Sequence, residues 1–372
     1  MKSLKDVELT NKSVGLRVDL NVPIDNGEIV SSDRLSAVLP TIIFILEKTE
    51  NLCLISHLGR PKEGHYDESL SLDPIRIWFE KRLNRDISLV NSIDKVNKGL
   101  NILENIRFFE GESSNSDNLA NLLANKFDIY VMDAFATAHR ESASTYGAIL
   151  QAKESCAGLL FHEEVHKLNL ALSMTKPLIS IVGGSKVSTK LAVLKNLIDK
   201  SKKVLVGGGI ANTFLKAAGI SIGNSIYEES MLFICEKMLN TDKVILPEKV
   251  IISESPSSRE SFLVDVSDVR SEMMILDLEF KKESISFVNH MFIWNGPLGI
   301  FEIDAFSKGT RDLVKFLEEI QGEVIAGGGE TIYAINKFSN QKKFSYVSTA
   351  GGAFIEFISG KKLPSVVALG VE

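Results

Sequence analysis

Two kinds of residue recur along this chain in places suited to chemistry. In the first half they are charged and polar side chains that follow short apolar runs: Asp19 and Asn21, His57 and Arg60, Arg107, then Asp133, His139 and Arg140. In the second half glycines take the same places, at positions 183–184, 207–209, 296 and 299, 327–329, and 351–352. The two sets suit different partners. A guanidinium presents a planar fork of donors that matches carboxylate and phosphate. One arginine after a strand is usually a solvated surface residue; several, beside two histidines, point to a compact polyanion. Glycine loops ahead of helix N-termini offer backbone N–H groups and a positive dipole end, which suits the phosphates of a nucleotide. A lone cluster such as 327–329 is weak evidence, because it is often a plain turn. Glycines at five successive strand ends are harder to dismiss.

The elements that must hold these residues repeat one pattern: a short apolar run, a polar or glycine loop, then a helical stretch. That alternation marks parallel sheets with crossover helices. The runs predict strands at 14–20, 52–56, 101–108 and 127–133, and again at 178–182, 204–206, 244–246, 291–294, 324–326 and 344–348. Over 189–198 the apolar Leu191, Leu194, Leu197 and Ile198 share one helical face, with Ser188 as the expected N-cap. The expected fold class is α/β, with two Rossmann-like three-layer αβα domains built on parallel sheets. Ligands of such sheets bind at the carboxyl ends of the strands, so two binding surfaces are expected. The switch from charged to glycine strand ends falls across 157–172, a predicted helix, and sets the domain boundary there.

Composition narrows the choice of function. A length of 372 residues allows two domains with their own cores. A hydrophobic fraction of 44% and a charged fraction of 24% are those of a soluble globular protein. No apolar run reaches the roughly 20 residues of a membrane-spanning helix. The polar start, Met1 to Thr10, lacks the apolar centre of a signal peptide, so a cytoplasmic location is expected. Cys53, Cys156 and Cys235 have no metal-ligand spacing and read as reduced core thiols. A net charge of −6 argues against a nucleic-acid partner, but not against a small anion held by converging arginines. Neither Gly-x-x-x-x-Gly-Lys-Ser/Thr nor Gly-x-Gly-x-x-Gly occurs, which removes the P-loop and the dinucleotide-binding dehydrogenase. An anion site and a phosphate cradle on separate domains fit phosphoryl transfer, whose catalysis is mainly positioning and charge neutralisation in a dry site.

The motifs themselves resemble those of phosphoglycerate kinases. The resemblance runs in order through LRVDLNVP (16–23) with Asp33 and Arg34, SHLGRP (56–61), LENIRF (103–108), DAFATAHR (133–140), VGGSKVSTK (182–190), GGGIANTFLKA (207–217), WNGPLGIFE (294–302), GGGET (327–331) and STAGGA (348–353). It covers nearly the whole chain. It implies reversible phosphoryl transfer between 1,3-bisphosphoglycerate with ADP and 3-phosphoglycerate with ATP, using Mg²⁺, in glycolysis. It also implies a monomer with residues 1–156 as the substrate domain, 157–172 as a hinge helix and 173–362 as the nucleotide domain. The tail, 363–372, would return to the first domain, and closure of an open cleft would bring the sites together.

Residue by residue, the resemblance carries substrate binding onto Asp19, Asn21, Arg34, His57, Arg60, Arg107 and Arg140. Arg34 would stabilise charge at the accepting end of the substrate, and Lys186 the phosphoryl group in flight. Backbone N–H groups near Gly328 and Gly351 would line the transfer path, completing a catalytic set with Arg34 and Lys186. Nucleotide contacts would come from Gly183, Lys190, Gly208, Asn295, Gly328, Gly329, Glu330 and Thr331, with Glu302 on the ribose hydroxyls. Glu330 would hold Mg²⁺ together with the nucleotide phosphates. Purely structural hydrogen bonding is the competing role for His57 and His139. Asp133 is left outside the site, as a residue that could equally hold a neighbouring loop, and Trp294 is expected in the core.

Two departures fall on the nucleotide side. Glu330 stands where the family usually has Asp, and LDLEFK (276–281) replaces an Asp-x-Gly-Pro turn. The preceding stretch, 240–271, reads as short and irregular. An active enzyme with altered nucleotide and metal handling is expected; a non-catalytic member that binds a ligand or a partner protein is the alternative.

Overall fold

The apolar runs of the first half become strands buried on both faces, which is why they read as continuous rather than alternating. The structure is a computed structural model that describes every residue except Asn26, Met174, Thr175, Arg259, Ser286, Phe287, Val288, Thr349 and Glu372, together with the side chain of Ala171. Thr349 of the STAGGA motif and the last residue of the tail therefore lie outside the described residues. The chain divides into two compact units, Met1–His166 with Lys362–Glu372, and Lys167–Lys361.

In the first unit the strands are β1 (Val14–Arg17), β2 (Ile24–Asp25), β3 (Glu28–Ile29), β4 (Leu52–Ile55), β5 (Ser88–Val90), β6 (Leu100–Leu103), β7 (Ile129–Met132) and β8 (Ser155–Ala157). Six of them form a parallel sheet in the order β5-β6-β4-β1-β7-β8, and β2 pairs with β3 in a small hairpin. β1 is central, with Val14 level with Leu52 on one side and Ile129 on the other. The helices are α1 (Asp33–Leu46), α2 (Asp73–Leu83), α3 (Asp117–Lys126), α4 (Ala148–Gln151) and α5 (Leu159–Leu172), within which the division between the units falls.

The run predicted as one strand over 101–108 splits in two. β6 stops at Leu103, and Ile106–Phe108 winds into a 3₁₀ turn whose cap is the Asn105 side chain accepting from the Arg107 N–H at 3.1 Å. β5 and β8 were not predicted, being three-residue edge strands without a long apolar run. A short helix, taken up below as α12 (Pro364–Ala368), belongs to this unit: Ser365 donates its N–H to Ala138 O at 3.1 Å and its hydroxyl to Thr145 O at 2.7 Å.

The second unit carries β9 (Leu178–Val182), β10 (Lys203–Val206), β11 (Val244–Ile245), β12 (Lys249–Ser253), β13 (Phe262–Asp265), β14 (Met274–Glu279), β15 (Met291–Asn295), β16 (Glu323–Gly327) and β17 (Tyr346–Ser348). Its parallel sheet has the order β11-β10-β9-β15-β16-β17. The helices are α6 (Val187–Lys200), α7 (Gly208–Ala217), α8 (Leu232–Leu239), α9 (Lys308–Glu319), α10 (Gly329–Phe338) and α11 (Gly352–Ile358), followed in the chain by α12. Trp294 is fully buried in β15, as expected.

Two local expectations change here and a third holds. The stretch read as irregular supplies, besides the expected β11, the strands β12 and β13, which with β14 form an antiparallel sheet in the order β13-β12-β14. LDLEFK makes no turn, as the missing Gly-Pro pair implied: β14 runs to Glu279, and Asp277 sits opposite Ile251. Finally, α6 starts at Val187 with Lys186, not Ser188, at the N-cap position. No helix among the described residues is long and apolar enough to cross a membrane.

Candidate functional site

The first unit gathers its predicted anion-binding residues around the carboxyl ends of β1, β4, β6 and β7. Asp19, just past β1, is buried and accepts from Arg34 Nη1 at 2.9 Å; the same guanidinium nitrogen donates to Asn21 O at 3.0 Å. Asn21 donates its N–H back to Asp19 at 3.2 Å, while its side-chain oxygen accepts the Gly59 N–H at 2.9 Å. Gly59 in turn uses its carbonyl to hold Arg107 Nη1. One chain of hydrogen bonds therefore links Arg34, Asp19, Asn21, Gly59 and Arg107.

His57, past the end of β4, is only 4% exposed and lies 3.4 Å from Arg17, measured Nδ1 to Nη2. Burial holds its pKa well below the ordinary value of 6.5, and Arg17, Arg140 and Arg34 push it further down. Arg140 is itself lowered, first by burial and then by the charges of Arg60 and Arg17, with Asp19 opposing. Arg60 is exposed. The arginines thus crowd one another within an acidic chain, a like-charge arrangement that an anion would relieve. His139 touches Arg140 at 3.5 Å, and its Nδ1 has no partner among the described residues. Asp133 accepts the Phe161 N–H at 2.9 Å, and burial raises it to about 7.

Arg17 escaped the sequence reading. It was hidden inside a strand run, yet a charge in an otherwise apolar central strand was the available signal. At 2% exposure its Nε donates to Ser144 Oγ at 2.8 Å and its Nη1 to Val18 O. Ser144 passes the contact on to buried Glu112, with its hydroxyl 2.6 Å from one carboxylate oxygen and its N–H 2.9 Å from the other.

In the second unit the glycines are required by how closely the strand-end loops approach. A Cβ on Gly183 would lie 1.8 Å from Pro297 O, and one on Gly208 2.7 Å from Gly184 O. Gly208 begins α7, but its N–H is already given to Leu298 O at 2.8 Å. Gly328 caps α10 at φ 101°, ψ 145°, a conformation suited to glycine. Its successors Gly329, Glu330 and Thr331 form the first helical turn, whose N–H groups have no partner within the helix. Gly351 caps α11 at φ 52°.

Lys190 of α6 reaches back into these loops. Its ammonium donates to Gly183 O at 2.6 Å and Asn295 O at 3.3 Å. Burial lowers its pKa to about 8, and Glu330 pulls the other way. Asn295 donates its amide to Gly327 O at 2.8 Å, and Thr331 Oγ1 accepts the Gly296 N–H at 2.8 Å. Both side chains brace loops. Lys186 is exposed at the head of α6.

A pocket of about 400 Å³ opens beside these loops. Gly208, Glu302 and Glu330 of the predicted nucleotide set line it, joined by Ile226, Met274 and Ile300, whose apolar surfaces suit a flat ring. Gly183, Lys190, Asn295, Gly328, Gly329 and Thr331 are not among its lining residues. Glu330 is exposed in the first turn of α10. A single exposed carboxylate fits a magnesium ion that takes its other ligands from phosphate and water, since Mg²⁺ in nucleotide sites uses one or two protein carboxylates.

Comparison with known proteins gives these two sites a family. The family model described as Phosphoglycerate kinase matches residues 4–361. Phosphoglycerate kinase of Francisella philomiragia is 44% identical over 99% of this chain and 97% of its own length. That of Desulfovibrio desulfuricans is 41% identical over 98% of each chain. Among solved structures, phosphoglycerate kinase from Coxiella burnetii matches with a TM-score of 0.95 at 42% identity, covering 99% of this chain and 98% of that one. The enzyme from Pyrococcus horikoshii OT3 matches with a TM-score of 0.80 at 27% identity, covering the same shares.

Proposed function

The chain belongs to the phosphoglycerate kinase family and catalyses its phosphoryl transfer, and on that premise we propose which residues bind each substrate. The arginine-rich surface of the first unit takes 3-phosphoglycerate or 1,3-bisphosphoglycerate, through Asp19, Asn21, Arg34, His57, Arg60, Arg107 and Arg140. The pocket of the second unit takes ADP or ATP.

The observation that carries this reading is the gathering of Arg60 and Arg140 beside buried Arg17, where burial first and the neighbouring positive charges second lower the Arg140 pKa. Buried like charges are costly unless a partner of opposite sign completes the site. A small ligand with a carboxylate at one end and a phosphate at the other offers two such partners. Arg34 is steered by Asp19 and the Asn21 carbonyl. Its remaining donors serve the carboxylate that accepts the phosphoryl group, where negative charge builds as the reaction proceeds.

On the nucleotide side, Glu302 receives the ribose hydroxyls, and the N–H groups at the head of α10 serve the phosphates. Lys190 adds a positive charge that burial makes easy to titrate. Asn295 and Thr331 keep the Gly296 and Gly327 loops in place. Gly183, Gly208, Gly328 and Gly329 allow the loops the close approach a phosphate chain needs. Lys186 and the amides near Gly328 and Gly351 neutralise the phosphoryl group in transit. Glu330 would hold Mg²⁺ together with the nucleotide phosphates, and the ion would supply further charge neutralisation there.

Turnover of 3-phosphoglycerate and ATP with Mg²⁺, measured in a coupled assay, tests the assignment. Arg34→Ala is expected to lower kcat by about 100-fold or more, as loss of a transition-state donor does. An Arg34→Ala enzyme with undiminished kcat would remove Arg34 from the catalytic set.

A further inference from the structure

We propose that Arg17 is a positioning residue for the substrate site: it holds His57 in the neutral tautomer with the proton on Nε2, so the ring meets the anionic substrate as a donor rather than as a cation. This rests on the reading of His57 as a substrate contact.

The geometry leaves little choice of tautomer. Arg17 Nη2 lies 3.4 Å from His57 Nδ1. A guanidinium has only donors, so the nitrogen facing it must present its lone pair, and a neutral ring then carries its proton on Nε2. A protonated ring would set two cations face to face in a buried space. Arg34 and Arg140 add to that pressure, and burial works in the same direction.

Arg17 can do this because its own charge is balanced elsewhere. Its Nε is engaged by Ser144 Oγ at 2.8 Å, and Ser144 relays to Glu112, which is 3% exposed and also accepts the Ser142 hydroxyl at 2.9 Å. Nη1 is tied to Val18 O. The rigid fork reaches Ser144, Val18 and His57 at once. A lysine ammonium, a point charge on a flexible stem, cannot reproduce those three directions together.

One consequence is that His57 adds no pH dependence of its own to 3-phosphoglycerate affinity near about pH 6.5, where an ordinary histidine would gain charge and where only the substrate's phosphate titrates. ¹⁵N NMR of the imidazole nitrogens in the unmodified protein reads this directly. The expected result is a proton on Nε2 and none on Nδ1, with no titration between about pH 8 and about pH 6. In Arg17→Lys, the ring should titrate or exchange tautomers. The KM for 3-phosphoglycerate should rise about tenfold and gain a pH dependence that the unmodified enzyme lacks, while kcat changes by less than about threefold. A wild-type ring protonated on Nδ1, or titrating at the ordinary value, overturns the proposal even if the variant fails to fold. So does an Arg17→Lys enzyme with unchanged KM and pH profile. His57→Ala separates the two layers of the argument. If it leaves the KM for 3-phosphoglycerate untouched, the substrate-site reading itself falls. If it raises that KM while the wild-type proton sits on Nδ1, the site stands and the role of Arg17 is lost.

Discussion

Glu228 caps helix α6 from 40 residues away: its carboxylate receives the Ser188 N–H at 2.9 Å and the Ser188 hydroxyl at 2.5 Å. Helix starts leave N–H groups without partners, and the residue in the N-cap position here, Lys186, has no side chain able to accept them. A carboxylate from a distant loop fills the need and suits the positive end of the helix dipole. Burial alone would raise the Glu228 pKa, but the hydrogen bonds from Ser188 and Val187 outweigh it and hold the group low. Glu228→Ala is therefore expected to cost about 0.5–2 kcal/mol of stability, the range for a lost cap. Because the pKa is depressed in the folded state, this contribution is present above the ordinary carboxylate range and fades as pH falls through the folded value. Denaturant titrations of both proteins at neutral and acidic pH should show a gap that closes in acid. An equal gap at both would contradict the cap.

Lys190 gives a second pH-dependent prediction, with the opposite window. Its pKa falls from 10.5 to about 8 on burial. Below about 8 the buried charge opposes folding in full; between that value and 10.5 the unfolded chain holds more protons, so stability rises with pH. A nucleotide phosphate beside the ammonium would restore its pKa, so ADP binding near pH 9 should take up a fraction of a proton. Calorimetry in buffers of differing ionisation enthalpy measures that uptake, and Lys190→Met should abolish it. Identical uptake by both proteins would assign the proton to another group.

Gly328→Ala tests the loop that opens α10. The backbone there has φ 101°, and an added Cβ would lie 2.5 Å from the Asn295 side-chain nitrogen. Strain of this kind costs about 1–3 kcal/mol. Nucleotide affinity is expected to fall about tenfold, with the KM for 3-phosphoglycerate little changed. Equal losses for both substrates would point to general misfolding.

Glu330→Asp restores the residue usual at this place in the family. Magnesium holds its ligands close to octahedral geometry, and one methylene moves the carboxylate by about an ångström. The Mg²⁺ concentration for half-maximal rate should drop and the preference for Mg²⁺ over Mn²⁺ should sharpen. If nucleotide affinity, metal preference and turnover all stay as they were, metal geometry is not what distinguishes this chain.

Much of this was legible in the residues themselves. The ten predicted strand runs all contain strands, because a strand buried on both faces needs an unbroken apolar run. The two edge strands β5 and β8 were missed for the same reason, being too short to show one. The charged strand ends of the first half and the glycines of the second stood out from residue type alone, since only certain side chains or bare backbone can hold a phosphate.

What the chain order could not reveal is partnership. Arg17 meets Ser144, Lys190 meets Asn295, and Ser188 meets Glu228 across separations of 127, 105 and 40 residues. Periodicity records which face of an element is buried, a local property written within a few residues. Which polar groups share that burial depends on how distant elements pack, and burial in turn lowers the pKa of His57 and Lys190. The family and its chemistry were therefore present in the sequence, while the bracing of these side chains and the burial that shifts their pKa values were decided only by tertiary structure.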